Sequence, residues 1–118
     1  MTQPFALSFG RLETPVNTPA GNKVYVPLEN YVLPSWVPPL DWTTVTSVYF
    51  VVTRQLDATI ATWTAGALTT VTTAGLVAVY TFAAGDTYIA CPYTLRPYAV
   101  TPGIVYPQPV VTLYVVTP

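Results

Sequence analysis

The chain reads as all-β: an immunoglobulin-like β-sandwich of about seven strands with an extended N-terminal arm. Three observations predict this. Short runs of Val, Thr, Tyr and Phe recur along the 118 residues, separated by Gly, Pro or Asp, and β-branched and aromatic side chains suit a pleated, half-buried surface. No stretch sustains an apolar repeat near 3.6 residues, and 13 prolines interrupt any candidate helix. The turn signals come at short, regular spacing, which favours a sandwich over a barrel.

Residues 1–22 are expected to form the arm. Pro4, Gly10, Pro15, Pro19 and Gly21 break it, while Phe5, Leu7, Phe9 and Leu12 give it apolar anchors for a neighbouring protein. The sandwich is expected over 23–118. Its first strand spans 23–31, with Val24, Val26 and Leu28 on one face, and Pro27 there suits an edge or a bulge. The run Leu33-Pro34-Ser35-Trp36-Val37-Pro38-Pro39-Leu40 is an apolar loop whose Trp36 either caps the core or joins a contact patch.

The strongest strand is 44–54. Val48, Phe50 and Val52 point one way, Tyr49 and Val51 the other, so both faces are apolar. A strand covered on one side only alternates with polar residues. The second face therefore calls for a cover: another segment, the arm or a partner chain. Gln55-Leu56-Asp57-Ala58 is a turn, and two threonine-rich strands, 59–64 and 68–73, flank Ala65-Gly66-Ala67. After a turn at Ala74-Gly75, strand 76–82 places Leu76, Ala78, Tyr80 and Phe82 toward the core. Ala83-Ala84-Gly85-Asp86 turns the chain into strand 88–98, with Ile89, Cys91, Tyr93 and Leu95 inward and Pro92 and Pro97 marking an edge or a bulge. Thr101-Pro102-Gly103 is a turn, 104–109 a proline-bent lead-in, and 110–116 the last strand.

Composition narrows the function. Four Lys/Arg against five Asp/Glu leave a net charge of -1, and the cations Arg11, Lys23, Arg54 and Arg96 are scattered. Nucleic-acid binding draws on clustered cations that displace counterions from phosphates, so no nucleic-acid partner is expected. No apolar run approaches the ~20 residues that span a bilayer, and no membrane association is expected. Met1-Thr2-Gln3-Pro4 lacks the basic start and apolar stretch of a signal peptide. Cys91 stands alone, so no disulfide forms within the chain and synthesis in a reducing cytoplasm is expected.

The chain has no histidine. Acid–base chemistry would fall to Glu13, Glu29, Asp41, Asp57 and Asp86, which lie on separate segments without motif spacing. The aspartates suit turns and strand starts, where their side chains bond nearby backbone N–H groups. Zinc spacing, an acidic calcium loop and a Gly-rich phosphate cradle are all missing. The expectation is a non-enzymatic protein with no catalytic residues, no metal and no cofactor. A surface only 8% charged in a chain 52% hydrophobic is a solubility hazard for a lone monomer. Part of it is expected to be covered by other subunits. The alternative use of the aromatics is a glycan platform built from Tyr25, Tyr31, Trp36, Trp42, Trp63, Tyr88, Tyr98 and Tyr106.

From Asp41 onward the chain resembles the immunoglobulin-like structural modules of tailed bacteriophages: the N-terminal domain of upper baseplate proteins and related fibre-attachment and decoration proteins. Asp41-Trp42-Thr43 followed by Val48-Tyr49-Phe50-Val51-Val52 resembles the family's opening turn and Val/Phe strand. Gly75, Leu76, Tyr80, Phe82 and Asp86 match its next pattern in order, and Tyr93 stands seven residues beyond that Asp. Pro102-Gly103 and Pro107-Gln108-Pro109 resemble the family's approach to its last strand. Cys91 departs from a usual Gly, and residues 1–40 match poorly. The resemblance implies a virion component made in host cytoplasm, either a capsid decoration or cement protein or a tail/baseplate fibre adaptor. Its implied partners are the major capsid protein or tail and baseplate proteins, and further copies of itself, a trimer being one such form. The interface expected on this reading comprises Phe5, Leu7, Phe9, Leu12, Trp36, Tyr49 and Val51.

Overall fold

A computed structural model describes residues 12–29 and 40–117. These form an immunoglobulin-like β-sandwich of nine strands: β1 Leu12–Pro15, β2 Lys23–Glu29, β3 Ser47–Arg54, β4 Ile60–Thr64, β5 Ala67–Thr69, β6 Gly75–Thr81, β7 Pro92–Thr101, β8 Ile104–Pro107 and β9 Val111–Val116. One sheet runs β1-β9-β7-β3-β4, with β8 also on β7, and the other runs β2-β6-β5. This division of consecutive strands between two facing sheets is the immunoglobulin arrangement.

The core follows from strand alternation. Val24, Val26 and Leu28 on β2 and Leu76, Ala78 and Tyr80 on β6 face Val48, Phe50 and Val52 on β3, Tyr93, Leu95 and Ala99 on β7 and Leu113 and Val115 on β9, all buried. The inward positions expected on 23–31, 44–54 and 76–82 are those found. Gly75 opens β6 because a Cβ there would stand 2.5 Å from the Leu28 carbonyl oxygen.

Four corrections emerge. First, the arm does not extend to residue 22. Leu12–Pro15 is a strand paired in parallel with β9, and Leu12, opposite Leu113, is only 1% exposed. Leu12 is therefore a core residue of its own sandwich, not an anchor for a neighbour. The link from β1 to β2 is held by buried threonines. The Thr18 hydroxyl donates to the Pro15 carbonyl at 2.6 Å, which leaves the Thr14 hydroxyl as donor to Thr18 at 2.8 Å. The Thr18 N–H donates to the Thr87 hydroxyl at 2.9 Å, tying this link to the β6–β7 connection. Phe5, Leu7 and Phe9 lie outside the described residues.

Second, the described residues hold nine strands rather than about seven: the arm segment contains β1 and the proline-bent lead-in contains β8. Third, β5 ends at Thr69 and β7 begins at Pro92, four residues later than expected, so Ile89 and Cys91 precede it and are only partly buried. Fourth, a 3-10 turn, Trp42–Thr44, precedes β3, with the Asp41 side chain accepting from the Thr43 N–H. Its Trp42 is fully buried.

Pro97 shows how β7 holds a proline in a central position. The phase of the β3–β7 ladder, set by Gln55 N–H to the Pro92 carbonyl at 3.0 Å, turns the Pro97 nitrogen away from β3. On that far side β8 ends opposite Tyr98 and β9 begins opposite Leu95. Arg96 and Pro97 thus face three residues, Gln108, Pro109 and Val110, across a bulge. The Gln108 N–H donates to the Pro97 carbonyl at 2.9 Å, and the Arg96 guanidinium donates to the Gln108 carbonyl at 3.0 Å. A missing N–H costs nothing where the ladder is already interrupted.

Candidate functional site

The acidic residues serve the backbone. Asp41 caps the 3-10 turn, and the Thr43 hydroxyl and N–H hold its carboxyl below the ordinary range. Asp57 closes the β3–β4 turn by accepting two hydrogen bonds from Arg54, at 2.9 and 2.7 Å. These bonds, with those from Thr59, push its carboxyl well below the carboxylate range, while the same contact raises Arg54. Asp86 accepts from the Tyr80 hydroxyl at 2.5 Å and from the Ala83 N–H at 2.8 Å. Burial first, and this hydrogen bond second, raise the Tyr80 phenol. Among the described residues no group of three His, Cys, Asp or Glu side chains could hold a metal. Among them, too, no helix is long and apolar enough to cross a membrane.

The aromatics divide in two. Trp63 stacks on Tyr80 with ring centroids 4.7 Å apart and lies edge-on to Phe82 at 5.6 Å. Tyr93, beside them, donates its hydroxyl to the Ile89 carbonyl at 3.0 Å, which fastens the start of β7 to the preceding loop. That contact has the form of the immunoglobulin tyrosine corner. A cavity of about 130 Å3 opens beside this cluster, lined by Val52, Arg54, Trp63, Asp86 and Tyr93. Its charged groups are already engaged: Arg54 with Asp57 and over the Tyr88 ring at 5.0 Å, Asp86 with Tyr80.

Among the described residues the aromatics do not assemble into a glycan platform. Trp42 and Trp63 are buried core residues. Tyr25 stands on the outer face of the small sheet, Tyr88 lies in the β6–β7 connection, and Tyr106 packs partly against the core. Tyr31 and Trp36 lie outside the described residues.

The structure does bring together the outer face of the large sheet. Tyr49 and Val51 lie on it, half-buried, as their alternation with Val48, Phe50 and Val52 requires. Tyr49 is registered with Tyr98, and their rings stack at 5.1 Å and 13°. Val51 stands between Arg96 and Thr62, while Val100 and Val105 extend the apolar strip toward the β7–β8 hairpin. Among the described residues Glu13 and Arg96 are the charged groups of this face, and Arg96 is bent onto the bulge. The remainder is uncharged, mostly Thr, Tyr and Val with Ser47, Ile60 and prolines. Sequence reading missed Ile60, Val105 and Val110, all strongly exposed. Ile60 carried a signal, an apolar residue opening a threonine-rich strand, whereas Val105 and Val110 stand among Ile, Tyr, Pro and Val and carried none.

The fold and this surface define a class: an immunoglobulin-like β-sandwich with a nearly uncharged, tyrosine- and threonine-rich sheet face. The chain matches no family model, no curated protein and no solved structure.

Proposed function

We propose that this chain is a non-enzymatic structural protein of a bacteriophage virion, docked on its neighbours through the outer face of the large sheet. The place in the particle is a capsid decoration or cement position or a tail/baseplate fibre attachment. The observation that carries the reading is the face itself: the Tyr49–Tyr98 stack flanked by Val51, Val100 and Val105, with charge almost removed. Interface cores are enriched in aromatic residues and depleted in charge, and tyrosines are frequent anchors. The resemblance of residues 41–118 to phage modules supplies the setting. The burial of Trp42 and Trp63 in the core removes two of the rings on which a glycan-binding role would draw.

The test is addition of the purified chain to particles assembled without it, read by co-sedimentation. Wild-type chain is expected to bind. Tyr49→Lys, with an unchanged circular dichroism spectrum, is expected to weaken binding at least about tenfold, equivalent to ~1.4 kcal/mol. Wild-type chain that ignores the particles removes the virion role. Tyr49→Lys that binds like wild type removes this face as the docking surface.

A further inference from the structure

Sheet edges carry unpaired backbone groups that can recruit another strand, and proteins blunt them with proline, charge, bulges or short length. The described edges of this sandwich follow that rule with one exception. β1 carries Glu13 and Pro15; β2 carries Lys23, Pro27 and Glu29; β5 has three residues; β8 has four and ends in Pro107. β4, Ile60-Ala61-Thr62-Trp63-Thr64, closes the large sheet with five residues, no proline and no charge.

The phase of its ladder is set by two hydrogen bonds to β3 and its approach: Arg54 N–H to the Thr59 carbonyl at 2.8 Å, and Ala65 N–H to the Val48 carbonyl at 2.9 Å. Residues alternate in an antiparallel ladder. Ala61 and Trp63 therefore face β3 with their backbone groups, as Thr59 and Ala65 do. Ile60, Thr62 and Thr64 direct theirs outward, where no described strand lies. Ile60 is also 67% exposed.

We propose that β4 pairs antiparallel with β4 of a second copy, about a two-fold axis at Thr62. In that register Thr62 meets Thr62 of the partner, and Ile60 meets Thr64 on either side. Each of these three pairs joins two outward-directed residues, so about six backbone hydrogen bonds form across the joint. An isologous contact must be complementary to itself. This one is: it juxtaposes no like charges, and it lays each exposed Ile60 against the partner's Thr64. The two large sheets then become one continuous sheet, with their docking faces side by side. The proposal does not depend on the particle role, since the pairing is a property of the edge alone.

The test uses the full chain with Cys91→Ser as background. Wild-type mass is expected to double from 12.8 kDa with rising concentration in light scattering. Thr62→Lys, which sets two ammonium groups face to face at the axis, is expected to remain monomeric with an unchanged thermal transition, whereas Val105→Lys still dimerises. Paired Cα atoms about 5.5 Å apart lie within disulfide range. Thr62→Cys is therefore expected to cross-link with itself under mild oxidation. Ile60→Cys is expected to cross-link with Thr64→Cys in a mixture but not with itself. A chain that stays monomeric at millimolar concentration overturns the proposal, as does a dimer that survives Thr62→Lys. Self-coupling of Ile60→Cys as fast as that of Thr62→Cys overturns the register.

Discussion

The β3–β7 pair presents two faces built from similar residues. Inward, Val48, Phe50 and Val52 meet Tyr93, Leu95 and Ala99 and the opposing small sheet, and Phe50 is fully buried. Outward, Tyr49 and Val51 meet Tyr98 and Arg96, and no described strand covers them. Hydrophobicity alone does not separate the faces, since both are apolar. What separates them is a second layer on one side and a stacked tyrosine pair with hydroxyls on the other. A face of the first kind stabilises the fold, while a face of the second kind tolerates water and remains available to a partner.

The largest expected effect tests that contrast directly. Phe50→Ala should cost about 3–5 kcal/mol, because a large cavity opens between the sheets. Tyr49→Ala should cost only about 1 kcal/mol, the worth of one aromatic stack at a half-wet site. Urea denaturation of both variants measures the difference, and equal losses would mean that the outer face is core in its own right. Next in size is Tyr93→Phe, expected to lose about 1 kcal/mol through the hydrogen bond to the Ile89 carbonyl. A loss confined to unfolding of the β6–β7 connection, seen by amide exchange, would sharpen the assignment of that bond as a local fastener.

Two pH effects are smaller. The Tyr80 phenol is raised in the folded state, so the native chain holds its proton more tightly than the unfolded chain. That contribution is complete below the ordinary tyrosine value of about 10 and is lost as pH rises from there toward the folded value. Alkaline unfolding should therefore begin near pH ~10, and Tyr80→Phe should flatten that limb of the profile. The Asp57 carboxyl is lowered by Arg54, so its contribution is present above the ordinary Asp value of about 4 and fades as pH falls below it. The pair is exposed and screened by solvent. The advantage of wild type over Asp57→Asn should be the smallest measured, and should shrink in acid.

Legibility followed the range of the interaction. The β2, β3 and β6 core positions were readable because alternation is a local property of strands. So was the pairing of Tyr49 with Val51 on a second face. Leu12 was not, because its burial depends on parallel pairing with Leu113, a hundred positions away in the chain. Trp42 and Trp63 were candidates for packing and, alternatively, for a glycan platform. Their places were set by a 3-10 turn and by the Tyr80–Phe82 cluster respectively. Pro97 carried a correct local signal, a bulge, yet its central position required knowing that β8 and β9 leave a gap there.

Composition and alternation alone were enough for an all-β sandwich, the inward positions of β2, β3 and β6 and its nearly uncharged exterior, because each follows from properties of neighbouring residues. Which strands became edges, that β4 was left without a protecting proline or charge beside it, and that Tyr98 came to lie against Tyr49 depended on folding. Those outcomes arise from contacts between distant segments, whose register is chosen by closure of the whole core.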